Sequence, residues 1–309
     1  MAIDATDLSP RASGSVGARV RALAGRLPLH LVLIGLMALW SIPTIALLIS
    51  SFREPAAIAS DGWWNAFSSL DELTFENYRE VLDQQGLGRA FVNSLIITIP
   101  STVLVILVAA FAAYAFAQME FPLRNTLFLT VVALLVIPIQ ITLIPILRIY
   151  TELNFGEIPV MGGRVFGTGS FPGIWIAHTA YGLPFAIFLL RNFFAALPKE
   201  LFESARLDGA SDLKIFFRLV LPLSAPALGA LAIFQFLWVW NDLLISLIFL
   251  NDPDLAPITV KINNLVSSFG QGYQLLTAAA FISMALPLAI FFALQRYFVQ
   301  GILAGAVKG

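Results

Sequence analysis

The sequence predicts an all-α integral membrane protein of six transmembrane helices. Hydrophobic residues are 59% of the 309 and charged residues only 12%, about half the charged share of an ordinary soluble domain. Six apolar stretches are long enough to cross hydrocarbon, which takes about 20 helical residues. Lys and Arg fall unevenly between alternate connections, as positive-inside topology requires. The absence of cysteine excludes disulfides, thiolate metal sites and cysteine nucleophiles.

The first stretch, 27–52, follows a basic leader at 1–26 carrying Arg11, Arg19, Arg21 and Arg26. Ala57-Ile58-Ala59 is similar to a signal cleavage site, but 26 apolar residues exceed a signal h-region, so a retained helix is expected. The connection 53–90 is acidic (Glu54, Asp61, Asp71, Glu72, Glu76, Glu80, Asp83), with Trp63 and Trp64 suited to the interface and a short helix expected around 75–82. A core domain, 91–298, holds five spans at 91–118, 126–147, 171–190, 223–250 and 275–295, and a tail follows at 299–309. Pro43, Pro100, Pro138, Pro145, Pro184 and Pro287 lie inside spans, where they kink helices. The glycine-rich run at 155–173 has no Lys-Ser/Thr after its glycines and no strand before them, so a turn-rich loop is expected rather than a phosphate loop.

With the N-terminus cytoplasmic, that side holds twelve basic residues: the leader arginines, Arg124, Arg191, Lys199, Arg206, Lys214, Arg218, Arg296 and Lys308. The other side holds six: Arg53, Arg79, Arg89, Arg148, Arg164 and Lys261. Both termini are therefore expected inside, together with the charged segment 198–222.

That segment, between two spans, reads as two short amphipathic helices at a bend. Pro198 suits a first helical turn, and Pro198, Leu201, Phe202 and Ala205 form an i, i+3, i+4, i+7 stripe. Gly209 suits the left-handed position that ends a helix. Ser211 can cap a second helix, where Leu213, Phe216, Phe217 and Val220 repeat the apolar spacing, and Pro222 is expected to stop it.

Glu203-Ser204-Ala205, three residues, Gly209, nine residues, then Leu219-Val220-Leu221-Pro222 resembles the EAA loop of binding-protein-dependent ABC importers. Ser204 replaces the second alanine and Leu219 the isoleucine of that pattern; "LDGAS" at 207–211 also fits. "LTFENYREVL", "AAYAFAQMEFPLRN", "WNDLLISLIFL" and the terminal "GILAGAVKG" extend the resemblance to maltose-type sugar permeases, with most likeness to the α-glucoside branch.

The resemblance implies a type I importer fold in the bacterial inner membrane, with a second homologous permease, two copies of an ATPase inside and an extracytoplasmic sugar-binding protein outside. It implies that Glu203, Ser204, Ala205, Asp208, Gly209, Leu219, Leu221 and Pro222 form the segment that docks on the ATPase. It also implies that the tail residues Ala304, Gly305, Val307, Lys308 and Gly309 reach the ATPase seam. Rigid-body closure of the ATPases would then drive alternating access. Nothing points to nucleic acid, a cofactor or a bound metal.

Gln235, Trp238, Asp242 and Ser246 fall on one face of a continuous fifth helix, with Asn241 beside them. They could meet a sugar, or Asn241 and Asp242 could cap and bridge helices at the outer mouth. His178 reads as hydrogen-bonded between helices, His30 as interfacial. No catalytic, metal or nucleotide-binding motif occurs, which argues against a membrane enzyme. An ion-coupled secondary transporter would need intramembrane charges, of which Asp242 is the one candidate. A permease for a polyol or glycerol phosphate is the nearer alternative.

Overall fold

The computed structural model describes residues 16–152, 159–160, 163–164, 167–266 and 272–306. The described residues are helical almost throughout. Helix α1 (Val16–Phe52) is followed by α2 (Pro55–Ser60), two 3-10 turns (Trp63–Phe67 and Leu70–Glu72) and α3 (Glu76–Asp83). Next come α4 (Leu87–Gln118), α5 (Arg124–Leu134) and α6 (Ile139–Glu152), then a two-residue antiparallel pair, β1 (Pro159–Val160) with β2 (Gly163–Arg164). Helix α7 (Phe171–Ala195) leads into α8 (Lys199–Leu207), α9 (Asp212–Ile215), a π-helical turn (Phe216–Val220) and α10 (Leu221–Leu223). The chain continues through α11 (Ala225–Trp240), α12 (Leu244–Phe249) and α13 (Ile258–Val266) to α14 (Tyr273–Ala306).

Four helices are long and apolar enough to cross a membrane, and six spans result if each of two bent pairs counts as one. The third span, expected as one helix over 126–147, is bent by 107° between α5 and α6. Pro138 disfavours helical geometry in the residue before it, and the backbone tightens there into three-residue bonds such as Val136 N–H to Ala133 O at 3.1 Å and Ile137 N–H to Leu134 O at 3.2 Å. The second bent pair, 212–223 with α11, meets at 75°, and the fifth span, expected as 223–250, is interrupted again further on. Helix α11 stops at Trp240, and α12 resumes after a turn at 241–243.

The core is built on α4 and α7. Ala109, Ala110 and Ala113 of α4 are small enough for close approach to Ala186 and Leu190 of α7, as helix contacts in lipid favour. Helix α11 adds Leu231 to this cluster and Val239 to a second one with Ile97, Ile174 and Ile245. Trp240 anchors a third with Leu87 and Ala278, its Nε1–H donating to Ser283 O at 3.1 Å.

Helix α1 touches the rest chiefly through α14, α3 and the first 3-10 turn. Its apolar run is open along nearly all its length, Trp40 being 86% exposed, and only Ser50 and Ser51 near its end are buried. That end is tied firmly. Ser51 Oγ lies 2.7 Å from Tyr78 Oη, and Asn77 Nδ2 donates to the carbonyls of Ser51 and Arg53 at 3.0 and 2.9 Å. Arg53 is 1% exposed and donates to Asp61, Glu72 and the Gly62 carbonyl. Burial opposes its charge, but the hydrogen bonds and fields of the two carboxylates outweigh that and hold its pKa above the ordinary value. Hydrogen bonds from Arg53 and Asn65 in turn hold the Asp61 carboxyl below its usual range.

Candidate functional site

The segment 198–223 makes a rigid elbow at one end of the bundle. Helix α8 closes with two hydrogen bonds, Ala210 N–H to Ala205 O and Gly209 N–H to Arg206 O, each 3.0 Å. These are the two bonds of a Schellman motif, which requires a left-handed residue at its bend. Gly209 supplies it with φ 73°. Ser211 then caps α9, its Oγ accepting from Lys214 N–H at 3.4 Å.

Pro222 does not end this helix. The π-helical turn precedes it, with Leu221 N–H bonded five residues back to Phe216 O, and the helix runs on to Leu223. The expected apolar stripe is covered only in part. Phe202, Ile215, Phe216 and Val220 are buried, whereas Leu213 and Phe217, expected on the packed stripe, face outward. Phe216 stacks on Phe111 with ring centres 4.7 Å apart and tilts against Tyr114 at 5.3 Å.

Polar contacts lock the elbow to the bundle. Arg206 Nη2 donates to Gln118 O at 3.3 Å, Gln118 Nε2 donates to Phe194 O at 2.9 Å, and Tyr114 Oη donates to Asp212 Oδ1 at 3.4 Å. The opposite side carries Glu203, Ser204, Asp208 and Pro222, all exposed, together with Leu207 at 89% exposure. Ala205, Leu219 and Leu221 are half-buried at the seam. The result is a stiff bracket whose outward side carries apolar residues among charges of both signs. Of the tail residues, Ala304 and Gly305 lie in the last turn of α14, and Val307, Lys308 and Gly309 lie outside the described residues.

The second candidate group does not share one continuous helix, because α11 ends before Asn241. Gln235 is buried, Trp238 half-exposed, and exposed Asn241 donates its Nδ2–H to Leu237 O at 2.8 Å. Asp242 caps α12. Its Oδ1 accepts from Ile245 N–H at 3.3 Å and its Oδ2 from Ser246 N–H at 3.0 Å, while its carbonyl accepts from Thr259 Oγ1 at 2.7 Å. His178 of α7 lies beside this group, 3.8 Å from Asp242 Oδ2 and edge-on to Trp238. Sequence spacing could not show that neighbour, since it depends on how α7 packs against α11. At the bend of the third span, a cavity of about 380 Å³ is lined by Leu134, Ile137, Ile139, Thr142, Tyr181 and Pro184, with Thr142 Oγ1 3.0 Å from Tyr181 Oη. Among the described residues no three His, Asp or Glu side chains are grouped to hold a metal.

Residues 90–304 match the family described as binding-protein-dependent transport system inner membrane component. The osmoprotective compounds uptake permease protein of Synechocystis sp. is 52% identical over 287 residues, 92% of each chain. The alpha-glucoside transport system permease protein of Rhizobium meliloti is 53% identical over 240 residues, which span 77% of this chain and 61% of that one. Among solved structures, a bacterial ABC transporter involved in the import of the acidic polysaccharide alginate superposes with a TM-score of 0.70 at 19% identity, covering 92% of this chain and 98% of that one. At that identity the likeness is one of fold.

Proposed function

The chain belongs to the family of inner membrane components of binding-protein-dependent transport systems, and from that premise we propose that it moves a sugar, an α-glucoside or a maltose-like oligosaccharide, into the cell. It is a non-catalytic permease subunit of a multi-subunit ABC importer that also comprises an ATPase and a binding protein. The ion-coupled reading falls with the family. In the proposed assembly this chain pairs with a second, homologous permease, two ATPase copies dock inside, and both termini of this chain are cytoplasmic. The observation that carries the docking role is the elbow at Gly209, bonded on its inner side to α4, packed in one core cluster with α4 and α7, and presenting Glu203, Leu207, Leu213 and Phe217 outward. A rigid bracket of this kind can pass a rigid-body movement of the ATPase to the membrane helices. Trp238, Asn241 and Asp242 are proposed to border the solute path, with Gln235 supporting them from the packed side.

The α-glucoside assignment draws on the name and 53% identity of the Rhizobium meliloti relative. A second reading, a small polar osmolyte, is favoured by the name of the Synechocystis relative. One experiment separates them. The complex is reconstituted in vesicles, and trehalose, maltose, sucrose and osmolytes are screened for binding-protein-dependent stimulation of ATP hydrolysis. Stimulation by α-glucosides supports the first reading, and stimulation confined to non-sugar osmolytes overturns it.

A further inference from the structure

His178 has no exposed surface, and neither of its ring nitrogens has a hydrogen-bond partner. A neutral imidazole carries one N–H donor and one acceptor, and orphaned polar groups are costly at membrane depth, where water is scarce. One acceptor stands close by. Asp242 Oδ2 lies 3.8 Å from His178 Nε2, too long for a hydrogen bond yet within about 1 Å of one.

The two residues sit on elements of different regularity. Helix α7 is held against α4 by Trp175 Nε1–H donating to Ile96 O at 2.8 Å. One turn beyond His178, Gly182 lies so near α11 that a Cβ there would come within 2.7 Å of Gln235 Nε2. Asp242, by contrast, belongs to the irregular turn between α11 and α12. Its carboxylate is bonded forward to Ile245 and Ser246, its N–H back to Val239 O, and its carbonyl accepts from Thr259, so the turn is tied to α11, α12 and α13 together. The Trp238 ring, 5.7 Å from the imidazole, fills the side that α11 presents.

We propose that His178 is a positioning residue with two settings: unpaired as seen here, and donating Nε2–H to Asp242 Oδ2 once the 241–243 turn shifts toward α7. No proton changes hands; one hydrogen bond forms. The pair thereby gives the 241–243 turn two discrete positions, which packed interiors provide more readily than continuous flexing. The proposal rests on the transport role of the family and not on the identity of the solute.

The chain contains only two histidines. A His30→Gln chain labelled with ¹⁵N-histidine and assembled with unlabelled partners therefore reports on His178 alone. Its imidazole spectrum is compared in lipid between the nucleotide-free complex and the complex trapped with ATP and vanadate. The expected result is a donor-nitrogen signal that moves to a hydrogen-bonded position in one state, and that stays put when Asp242→Ala is added. An identical signal in both states, or a shift that persists in Asp242→Ala, overturns the proposal. In uptake of labelled maltose as the probe sugar, His178→Leu should lose roughly tenfold, the scale of a hydrogen bond to a charged group, and His178→Gln, which keeps an N–H donor, should recover most of it. Equal losses for Leu and Gln would show a packing role and overturn it. Failure of the unaltered complex to take up maltose bears on the solute class alone, and the imidazole signal then decides.

Discussion

Replacing Gly209 with valine tests the coupling elbow directly. The residue has φ 73°, and a Cβ there would meet nothing within 4 Å, so the whole penalty is conformational rather than steric. A left-handed backbone costs an ordinary L-residue on the order of 1–2 kcal/mol, and more for a β-branched one. A difference of that size changes a two-state population by roughly 5–30-fold. The two Schellman bonds, from Ala210 and Gly209, would loosen together, and α8 and α9 would no longer meet a partner at a fixed angle. Membrane insertion should be untouched, because the segment's buried anchors, Phe202, Ile215 and Phe216, are unchanged. The assay is co-purification of the ATPase alongside solute uptake at matched membrane levels. Gly209→Val should lower both by about tenfold. Gly209→Asn should fall less, since asparagine tolerates the left-handed region. Glu203→Ala, which removes an outward charge and leaves the elbow intact, should fall between wild type and valine. Equal performance of Gly209→Val and wild type would refute the reasoning, and so would an asparagine variant as damaged as valine.

Three further outcomes are expected. Deleting Ala304–Gly309 should leave insertion intact and lower stimulated ATP hydrolysis severalfold in the reconstituted complex; full activity would mark the tail as dispensable. The chain reconstituted alone should neither hydrolyse ATP nor accumulate solute under a proton or sodium gradient, as measured by phosphate release and vesicle uptake. The Arg53–Asp61 bond should hold the 54–75 connection across neutral pH. Because the Asp61 pKa is depressed in the fold, its contribution is complete above its ordinary range and lost as pH falls through the depressed value, so proteolysis of this connection should rise only below about pH 4. In Asp61→Asn the acid-dependent change should be smaller than in the unaltered chain.

The elbow was legible because its rules are local. A glycine with a serine two residues later, between amphipathic runs, specifies a left-handed stop and a new cap whatever the rest of the chain does. The outward position of Phe217 was not legible, since it sits inside a π-helical turn that apolar spacing at 3.6 residues per turn cannot encode, and before that turn α9 packs through Ile215 rather than Leu213. Spans were legible as runs of apolar residues, but hydropathy carries no signal for direction, so the 107° bend after Leu134 and the break after Trp240 stayed hidden within them. Pro138 marked the first of these and was read only as a kink. The burial of Arg53 among Asp61 and Glu72, and of His178 beside Asp242, depends on contacts between residues far apart in the chain. No spacing rule reaches them.

The wide turn at Phe216–Val220 acts as a phase shifter between the bracket and the membrane. An α-helix advances about 100° per residue, so one additional residue in a turn rotates everything beyond it by that angle relative to an uninterrupted helix. Ile215 before the turn and Phe216 and Val220 at its two ends can then all point into one core, while Phe217 within it is left for a partner. The number of residues between Ser211 and Pro222 thus becomes a structural quantity in its own right. Side chains along this stretch set how strongly each face is held. Its length sets which way the faces point.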